Sequence, residues 1–233
     1  MKISIVIPAY NEEKYIGKTL ESINKLDKTG LEVEIVVVNG GSTDKTAEVA
    51  KSYGARVLDE PHKGIGFARQ QGLLHAKGEI IAFTDADTVV PKNWLVRLVG
   101  TLKRPGVVFA YGTFRVPDGR FPYKQHINYI QPHILWLFHH LFGKPIAAGQ
   151  NHAFWREKAL SIGGFDEDLK VMEDIDLAVR MTKIGKAIFI PDLIVYSSGR
   201  RSNEGLGFYW RMLVTLIDYS LGKKKLKGFP DFR

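Results

Sequence analysis

Four short apolar runs in the N-terminal part of the chain constrain its fold more than any other feature of the sequence. None of them is a polar–apolar alternation, and stretches with helical periodicity lie between them. The runs span residues 3–7, 33–38, 55–58 and 79–83. Such runs are typical of strands that are covered on both faces, and the repetition of strand and helix implies a parallel sheet. The pattern predicts an α/β domain with a mostly parallel central sheet.

The sequence also indicates where individual elements begin. In the first helical stretch Ile16, Leu20 and Ile23 recur at the spacing of one helix face, and Asn11 and Ser42 have the residue type of helix N-caps. The second half is less regular, with an aromatic and histidine-rich segment at 121–143, a strand near 146–155, a helix from about 171, a strand at 186–190 and a helix at about 205–221. With 233 residues and no internal repeat or linker, the chain is expected to form one domain over 1–233.

Composition narrows the partners of the protein. The sequence has no cysteine, which excludes disulfides and thiolate metal sites and favours a reducing, cytoplasmic location. The formal net charge of +8 suits nucleic acid, anionic lipid or a phosphorylated substrate. Basic residues cluster late, as GRR at 199–201 and GKKKLKG at 222–228. Because this is one cationic region and not a stripe along the chain, we expect no nucleic-acid partner.

Two carboxylates, Asp85 and Asp87, directly follow the fourth apolar run in the stretch FTDADT. Parallel α/β sheets bind ligands at the carboxyl ends of their strands. A D-x-D pair at that edge would either start a loop and cap the next helix, whose Pro91 suits a first turn, or hold a divalent cation. Magnesium and manganese prefer oxygen ligands, and magnesium is usually held by one or two carboxylates together with substrate phosphates.

Four segments in a fixed order carry a resemblance to a known family. They read SIVIPAYNEEKYIGKTLESI, EIVVVNGGSTDKTAEVA, KGIGFARQQGLLHAKGEIIAFTDADT and GGFDEDLKVMEDIDLAVR, and they cover about residues 2–185. In these segments the chain resembles the family 2 glycosyltransferases, which are inverting, nucleotide-sugar-dependent enzymes of the GT-A fold. The resemblance implies a Rossmann-like domain with a nucleotide-sugar-binding half at about 1–110, an acceptor and catalytic half at about 111–200, and a C-terminal amphipathic helix with a basic tail at about 201–233.

The resemblance further implies a set of donor-binding residues and a metal cofactor, Mg²⁺ or Mn²⁺. The nucleotide-sugar contacts would come from Pro8, Ala9, Tyr10, Glu12, Asn39, Gly41, Arg69, Asp85, Ala86 and Asp87. Within this set Asn39 would meet the base, Arg69 would lie near the ribose and phosphates, and Asp87 would be the principal metal ligand with Asp85 beside it. Taken singly, these residues also have plain structural explanations: Ser42 can cap a helix, and Arg69 can be a solvated helix residue.

One donor-side position departs from the family pattern. The family usually carries an acid where this chain has Asn39, and a second acid is common at Gly40. An amide oxygen can still accept a hydrogen bond from a pyrimidine imide N–H, but the bond lacks charge assistance and the amide N–H₂ admits other partners. The resemblance therefore leaves the donor open between a UDP-linked and a GDP-linked sugar.

The stretch MEDID at 172–176 opens the helix expected from about 171. Acids in a first helical turn stabilise the helix through its dipole, which also favours their anionic form. In the family this acidic pair supplies the general base, because inversion at an anomeric carbon needs the acceptor hydroxyl to lose its proton as it attacks. The resemblance assigns that role to Asp174, with Glu173 as the alternative.

The C-terminal region supports two interpretations. Leu206, Trp210, Leu213 and Ile217 form one helical stripe ahead of the lysine cluster. The helix would either pack on the domain with a solvated tail, or lie with the segment 126–142 on an anionic membrane. Arg200 and Arg201 would clamp a diphosphate, either of the donor or of a polyprenyl acceptor.

These observations predict a metal-dependent, inverting and non-processive glycosyltransferase. It would transfer a sugar from a nucleotide-diphosphate sugar to a hydroxyl or lipid phosphate of a glycan or polyprenyl-lipid acceptor, in the cytoplasm or at the inner face of the cell membrane. The processive members carry a Q-x-x-R-W motif and transmembrane helices, whereas this chain has no such motif and no apolar segment of ~20 residues. The alternatives are a pyrophosphorylase-like nucleotidyltransferase, which would open with G-x-G-T-R in place of PAYNEE, a dinucleotide-dependent oxidoreductase, and a catalytically silent sugar-nucleotide-binding protein.

Overall fold

The computed structural model describes residues 1–62 and 64–221. The basic tail predicted after the last helix, including the lysine cluster, lies outside the described residues. Eight strands form one sheet: β1 (Lys2–Ala9), β2 (Glu32–Asn39), β3 (Arg56–Asp59), β4 (Ile80–Phe83), β5 (Thr88–Val89), β6 (Val107–Arg115), β7 (His152–Trp155) and β8 (Lys186–Ser197). The helices are α1 (Ile16–Asn24), α2 (Thr46–Ser52), α3 (Ile65–His75), α4 (Trp94–Leu102), α5 (Tyr123–Gln125), α6 (Gln131–Phe142), α7 (Arg156–Ser161), α8 (Glu173–Met181) and α9 (Gly207–Ser220), with a π-helical turn at His126–Ile130 and a 3-10 helix at Arg200–Glu204.

The strand order is β3-β2-β1-β4-β7-β6-β8-β5. The pairs β2–β3, β1–β2, β1–β4 and β6–β8 are parallel, whereas β7 runs antiparallel to both of its neighbours and β5 runs antiparallel to β8. The predicted α/β fold with a mostly parallel sheet is confirmed. The four parallel strands β1 to β4 bring their carboxyl ends to one edge, where the predicted donor residues lie.

Both faces of the sheet are covered by apolar side chains, which explains why the first strand does not alternate. Ile5 and Val6 are consecutive in β1, project to opposite faces and are both fully buried. Ile5 lies in one buried cluster with Leu20 of α1 and Trp94 of α4, and Val6 lies in a second cluster with Phe83 and other residues beneath α3 and α8. An unalternating run is therefore the sequence consequence of helices on two sides.

The second half of the chain is more regular than its sequence suggests. The strand β6 is absent from the predicted elements, although eight of its nine residues are buried. Its apolar run is followed by the buried Gly112 and Thr113, and the Asn151 side chain donates a hydrogen bond of 2.7 Å to the Thr113 carbonyl. The side chain of Asn151 thus satisfies a buried backbone carbonyl of β6 at a point where the apolar run of the strand has already ended.

The prediction that Asn11 caps the first helix is wrong. Helix α1 begins at Ile16, and Asn11 has a positive φ of 53° in the loop after β1. Its backbone N–H donates to the Ser42 hydroxyl at 2.9 Å, and its side-chain oxygen accepts the Thr43 N–H at 2.8 Å. The polar residues of the two loops therefore bond to each other, and this contact holds the ends of β1 and β2 together. Asp44, in the second loop, accepts the first N–H of α2 at Thr46.

Candidate active site

The structure gathers the acidic residues of the sequence motifs around two arginines. Arg200 contacts Glu12 and Asp87, whereas Arg69 contacts Asp85 and Glu173. Glu12 follows β1, the D-x-D pair follows β4, and Glu173 opens α8, so the cluster is drawn from elements far apart in the chain. The site lies at the carboxyl edge of the parallel strands.

Arg200 is held by both acids through its planar guanidinium. Its Nη1 and Nη2 atoms donate to the two carboxylate oxygens of Glu12 at 2.8 and 2.7 Å, and Nη2 lies 2.9 Å from Asp87 Oδ2. The guanidinium carbon also lies 5.1 Å from the centre of the Tyr15 ring, a cation–π distance. The side chains of Arg200, Glu12 and Asp87 are only 16%, 4% and 12% exposed, so these charges interact in a site that excludes most water.

Burial raises the pKa of Asp87 to about 6, and the carboxylates of Asp85 and Glu12 add to this rise, whereas Arg200 and Arg201 oppose it. Arg201 itself is exposed. A carboxylate held in such surroundings is stabilised by any additional positive charge. Asp87 is therefore suited to contact a cation.

Arg69 joins the D-x-D pair to the acids of α8. Its Nη2 lies 3.0 Å from Asp85 Oδ1, and its Nη1 donates to the Gly149 carbonyl at 2.7 Å. Its Nε lies 3.0 Å from Glu173 Oε1, without the alignment of a hydrogen bond, and the contact is thus an ion pair. The side chain is 3% exposed, so the interpretation of Arg69 as a solvated helix residue is wrong. A Cβ atom at Gly149 would overlap this guanidinium, which explains why the smallest residue stands there.

The two acids at the start of α8 have different surroundings. Glu173 is buried against Arg69, whereas Asp174 is partly exposed and its Oδ1 accepts the backbone N–H of Ile175 at 2.8 Å. Burial raises the pKa of both carboxyls, the charge of Asp174 raises that of Glu173 further, and Arg69 opposes the rise at each. The helix dipole was expected to favour the anionic form, but burial outweighs it. Raised pKa values on two neighbouring acids are typical of sites that transfer protons.

Asn39 is already engaged by neighbouring protein groups. Its side-chain N–H₂ donates to Asp59 Oδ1 at 2.8 Å, and its side-chain oxygen accepts the Ser42 N–H at 3.2 Å. Asp59 is the last residue of β3, opposite Asn39 in the strand register, and its side chain is exposed. The sequence analysis missed Asp59. The signal that could have found it is its position at the end of the third apolar run, at the edge where Asn39 and the D-x-D pair end their own strands.

The remaining predicted donor residues line the same edge. Pro8 and Ala9 end β1, and the Ala9 carbonyl accepts the Gly40 N–H at 2.8 Å. The carbonyl of the buried Ala86 accepts the Thr19 hydroxyl at 2.8 Å, which fixes the D-x-D loop on α1. Tyr10 follows β1 and is half-buried, and Gly41 has a positive φ of 76°, a conformation that favours glycine.

The donor atoms around Asp87 fit a divalent cation that shares its ligands with a substrate. Among residues 1–62 and 64–221, no group of three or more histidine, aspartate or glutamate side chains is placed to hold a metal ion. The available ligands are the hard carboxylate oxygens of Asp87 and Asp85, which match the one or two carboxylates that magnesium or manganese uses beside phosphate oxygens. The residues therefore fit a cation bound together with a diphosphate, and they do not fit an all-protein cage.

The apolar stripe of the last helix faces solvent. Leu206, Trp210, Leu213 and Ile217 are 74%, 70%, 50% and 50% exposed, whereas Phe208 is buried with its ring 4.9 Å from that of Tyr123. In the neighbouring helical segment, large apolar side chains are also exposed: Tyr129, Ile130, Trp136, Leu141 and Phe142. His126 of that segment stacks edge-on against Tyr209, which places the two helical regions side by side. Within the part of the chain that the structure describes, each helix is too short or too polar to span a membrane.

Comparison with known proteins gives the family. The model of glycosyl transferase family 2 matches residues 4–163. A dolichyl-phosphate β-glucosyltransferase of Trichomonas vaginalis is 43% identical over 97 residues, and the match covers 36% of this chain and 30% of that protein. A 4,4'-diaponeurosporenoate glycosyltransferase of Staphylococcus aureus is 41% identical over 111 residues, or 45% of this chain and 29% of that protein. The matches thus span about a third of the length of these curated relatives.

Solved structures show the same fold over nearly the whole chain. The mannosyltransferase PcManGT of Pyrobaculum calidifontis, in complex with GDP-Man and Mn²⁺, superposes with a TM-score of 0.71 at 23% identity, covering 98% of this chain and 65% of that one. The glucosyl-3-phosphoglycerate synthase of Mycobacterium tuberculosis, in complex with Mn²⁺, UDP and phosphoglyceric acid, gives 0.67 at 25% identity, covering 99% and 80%. These likenesses confirm the predicted GT-A fold.

Proposed function

Because this chain belongs to glycosyl transferase family 2, we propose that it transfers a sugar from a nucleotide-diphosphate donor to an acceptor oxygen, with inversion and one linkage per encounter. The observation that carries the proposal is the connection made by Arg69 between the D-x-D acid Asp85 and the α8 acid Glu173. A donor held at Asp85 and Asp87 would place its anomeric carbon toward Asp174. In this arrangement a binding site for the leaving diphosphate would lie beside a candidate general base.

On the donor side, Asp87 would hold Mg²⁺ or Mn²⁺ with Asp85 nearby. When bound, the cation supplies Lewis-acid stabilisation of the charge on the departing diphosphate. Arg200 and Arg201 would add hydrogen bonds and positive charge to the phosphate oxygens. Pro8, Ala9 and the other residues at the edge of β1 would pack against the nucleoside. The Mn²⁺ bound in two structural neighbours supports the use of a divalent cation.

Asp59 would read the nucleotide base together with Asn39. Since Asn39 already donates to Asp59 Oδ1, the second oxygen of Asp59 is the acceptor that a base N–H can approach. A carboxylate accepts the ring N–H of uracil or guanine but meets a lone pair at the corresponding ring atom of cytosine or adenine. This chemistry supports a UDP- or GDP-linked donor, and structural neighbours bind UDP-GlcNAc or GDP-Man.

On the acceptor side, Asp174 would act as the general base. The O–H of the acceptor, either a sugar hydroxyl or the P–OH of a singly ionised phosphate ester, transfers its proton to the Asp174 carboxylate. In the same step the oxygen forms a bond to the anomeric carbon and the bond from that carbon to the diphosphate oxygen breaks. Glu173, held by Arg69, would orient the site and tune its charge. Asp174 is the better candidate because it is partly exposed, whereas Glu173 is buried against the arginine.

The exposed apolar helices favour a lipid-linked acceptor over a soluble glycan. Apolar side chains of the segment 126–142 and of α9 are exposed, His126 and Tyr209 place these two regions side by side, and the lysine-rich sequence follows α9. Such a combination suits peripheral contact with an anionic membrane, where a polyprenyl phosphate would be presented at the inner face of the cell membrane. One relative is by its name a dolichyl-phosphate glucosyltransferase, which agrees with this acceptor class.

The test begins with a thermal-shift panel of nucleotides and nucleotide sugars, with and without Mn²⁺. A ligand at 100 times its dissociation constant should stabilise the protein by ~2.7 kcal/mol, a shift of several degrees. The stabilising sugar nucleotide is then assayed for transfer to polyprenyl phosphate and to oligosaccharides. Transfer supports the proposal, and binding without turnover points to a silent sugar-nucleotide-binding protein. Formation of a nucleoside triphosphate and a sugar 1-phosphate when pyrophosphate is added to the sugar nucleotide would indicate a nucleotidyltransferase.

A further inference from the structure

We infer that Arg200 and a divalent cation are alternative partners of Asp87, so that the cation binds tightly only in company with a diphosphate. The inference rests on the proposed function for the identity of the diphosphate, but its first step concerns the metal alone. Asp87 Oδ2 lies 2.9 Å from Arg200 Nη2, and the same nitrogen donates to Glu12 at 2.7 Å. The oxygen offered to the metal is thus shared with a fixed positive charge.

The backbone beneath Arg200 is anchored on two sides. The Ser198 N–H donates to the Asp87 carbonyl at 3.2 Å, and the Gly199 N–H donates to Asp118 Oδ1 at 2.7 Å. A Cβ atom at Gly199 would overlap the backbone of Gly119, so the strand end is pressed against that loop. The guanidinium therefore cannot leave Asp87 by a shift of the backbone, and only the side chain can change partners.

Charge determines which partners Asp87 can have at one time. Glu12 and Asp87 together carry two negative charges when ionised, and Arg200 neutralises one of them. A bare divalent cation at Asp87 would lie close to the guanidinium in surroundings that screen charge poorly, and the repulsion opposes its binding. A diphosphate removes this conflict because its oxygens accept hydrogen bonds from the arginine and coordinate the metal.

The bidentate contact with Glu12 makes the exchange local. Both guanidinium nitrogens donate to Glu12, whereas the contact of Nη2 with Asp87 is an ion pair without the alignment of a hydrogen bond. Arg200 can therefore keep its hydrogen bonds to Glu12 and its contact with Tyr15 while Nη2 exchanges its ion pair with Asp87 for a phosphate oxygen. Asp87 then becomes available to the metal that arrives with the diphosphate. In this account Arg200 is a positioning residue that makes metal and donor binding cooperative.

The experiment measures Mn²⁺ binding by electron paramagnetic resonance, with and without GDP or UDP. Arg200→Gln is the principal variant because glutamine fills part of the volume and can donate to Glu12, and Arg200→Lys retains the charge. Arg97→Gln is the matched control: it removes the same charge outside the site, where Arg97 pairs with Asp192 at 2.7 Å. Thermal unfolding of each variant checks that it is folded.

For Mn²⁺ alone, Arg200→Gln should bind at least about tenfold more tightly than the wild type, because a neighbouring positive charge is gone. With nucleotide present the order should reverse, with Mn²⁺ and nucleotide affinity at least about tenfold weaker in the variant because the phosphate contact is lost. Arg200→Lys should still exclude free Mn²⁺, Arg97→Gln should match the wild type in both conditions, and adding Asp87→Asn to Arg200→Gln should abolish the gain.

Wild-type-like affinity of Arg200→Gln for Mn²⁺ alone would overturn the inference, as would equally tight Mn²⁺ binding by the wild type with and without nucleotide. If the glutamine variant does not fold, tight binding of free Mn²⁺ by Arg200→Lys would overturn it instead. Failure of the proposed function is a separate result, in which the nucleotides do not bind the wild type at all while the comparison with Mn²⁺ alone still discriminates.

Discussion

Replacing Arg69 with methionine should destabilise the protein strongly, and more so as the pH rises. The variant keeps most of the side-chain volume but removes the only charge that the structure places against both Asp85 and Glu173 among the described residues. Breaking a buried ion pair by removing one partner costs about 3–5 kcal/mol, because an uncompensated charge remains. The exposed fractions of Arg69 and Glu173, 3% and 5%, place this contact in the buried class.

The dependence on pH follows from the protons that the acids can take up. Burial already raises the pKa values of Glu173 and Asp174, and Arg69 opposes the rise, so its removal raises both values further. The folded state then binds more protons than the unfolded state between the ordinary carboxyl pKa and the raised one, and the free energy of unfolding falls as pH rises through that window. The loss should therefore be smallest near pH 5 and grow toward about 3–5 kcal/mol as the pH rises past about 8, the raised pKa of Glu173 in the wild type.

Urea denaturation of the wild type and Arg69→Met at pH 5 and pH 9 measures both the loss of stability and its dependence on pH. Arg97→Met serves as the control, because its partner Asp192 is 73% exposed and such surface pairs contribute only about 0–1 kcal/mol. A loss below about 1 kcal/mol for Arg69→Met at pH 9, or a loss that does not grow between pH 5 and pH 9, would refute the view of Arg69 as the counterion of the buried acids.

Three further predictions concern binding of the nucleotide base, the pH dependence of kcat/KM and binding to membranes. Asp59→Asn should weaken nucleotide binding about 10-fold or more in calorimetric titration, since a charge-assisted hydrogen bond is lost. The control Glu60→Gln, at the adjacent residue, should not weaken it. Equal effects of the two substitutions would show that Asp59 does not contact the nucleotide base. Because burial raises the pKa of Asp174, kcat/KM should fall as the pH drops through a value above the ordinary ~4, and an acidic limb at or below pH 4 would contradict its role as base. Deleting residues 222–233 should weaken binding to anionic vesicles, measured by sedimentation, by ~1 kcal/mol per lysine near the surface, and should weaken nucleotide binding less. Trp210→Ser tests the contribution of the apolar face of α9. Vesicle binding that does not depend on salt would exclude the electrostatic contribution.

The first four strands and the place of the D-x-D pair could be predicted because they depend on local patterns. Unalternating apolar runs require two covering layers, and Asp85 and Asp87 follow such a run directly. The partners of these acids could not be found in this way. Arg200 lies 188 residues from Glu12 in the chain, and it reaches these acids because the end of β8 pairs with β5, the short strand that directly follows the D-x-D pair.

Surroundings also changed what the local sequence indicated about individual residues. Asn11 has the residue type of a cap, but a cross-loop bond to Thr43 uses its side chain instead. The first turn of α8 predicts an anionic Asp174, yet burial raises its pKa, because desolvation in a covered site exceeds the effect of the helix dipole. In both cases a tertiary contact or burial overrode a correct local preference.

In the proposed mechanism Asp87 binds the donor and Asp174 acts as the general base. Measurements of kcat and donor affinity for variants of these two residues test this division of roles. Asp87→Asn should lose Mn²⁺-dependent nucleotide binding. Asp174→Asn should bind the nucleotide within a few-fold of the wild type but have a kcat lower by roughly 10²–10⁴. Glu173→Gln should have a smaller effect on kcat than Asp174→Asn. Turnover of Asp174→Asn within a few-fold of the wild type would contradict the role of Asp174 as general base. If Glu173→Gln is inactive in the same assay, Glu173 and not Asp174 is the base.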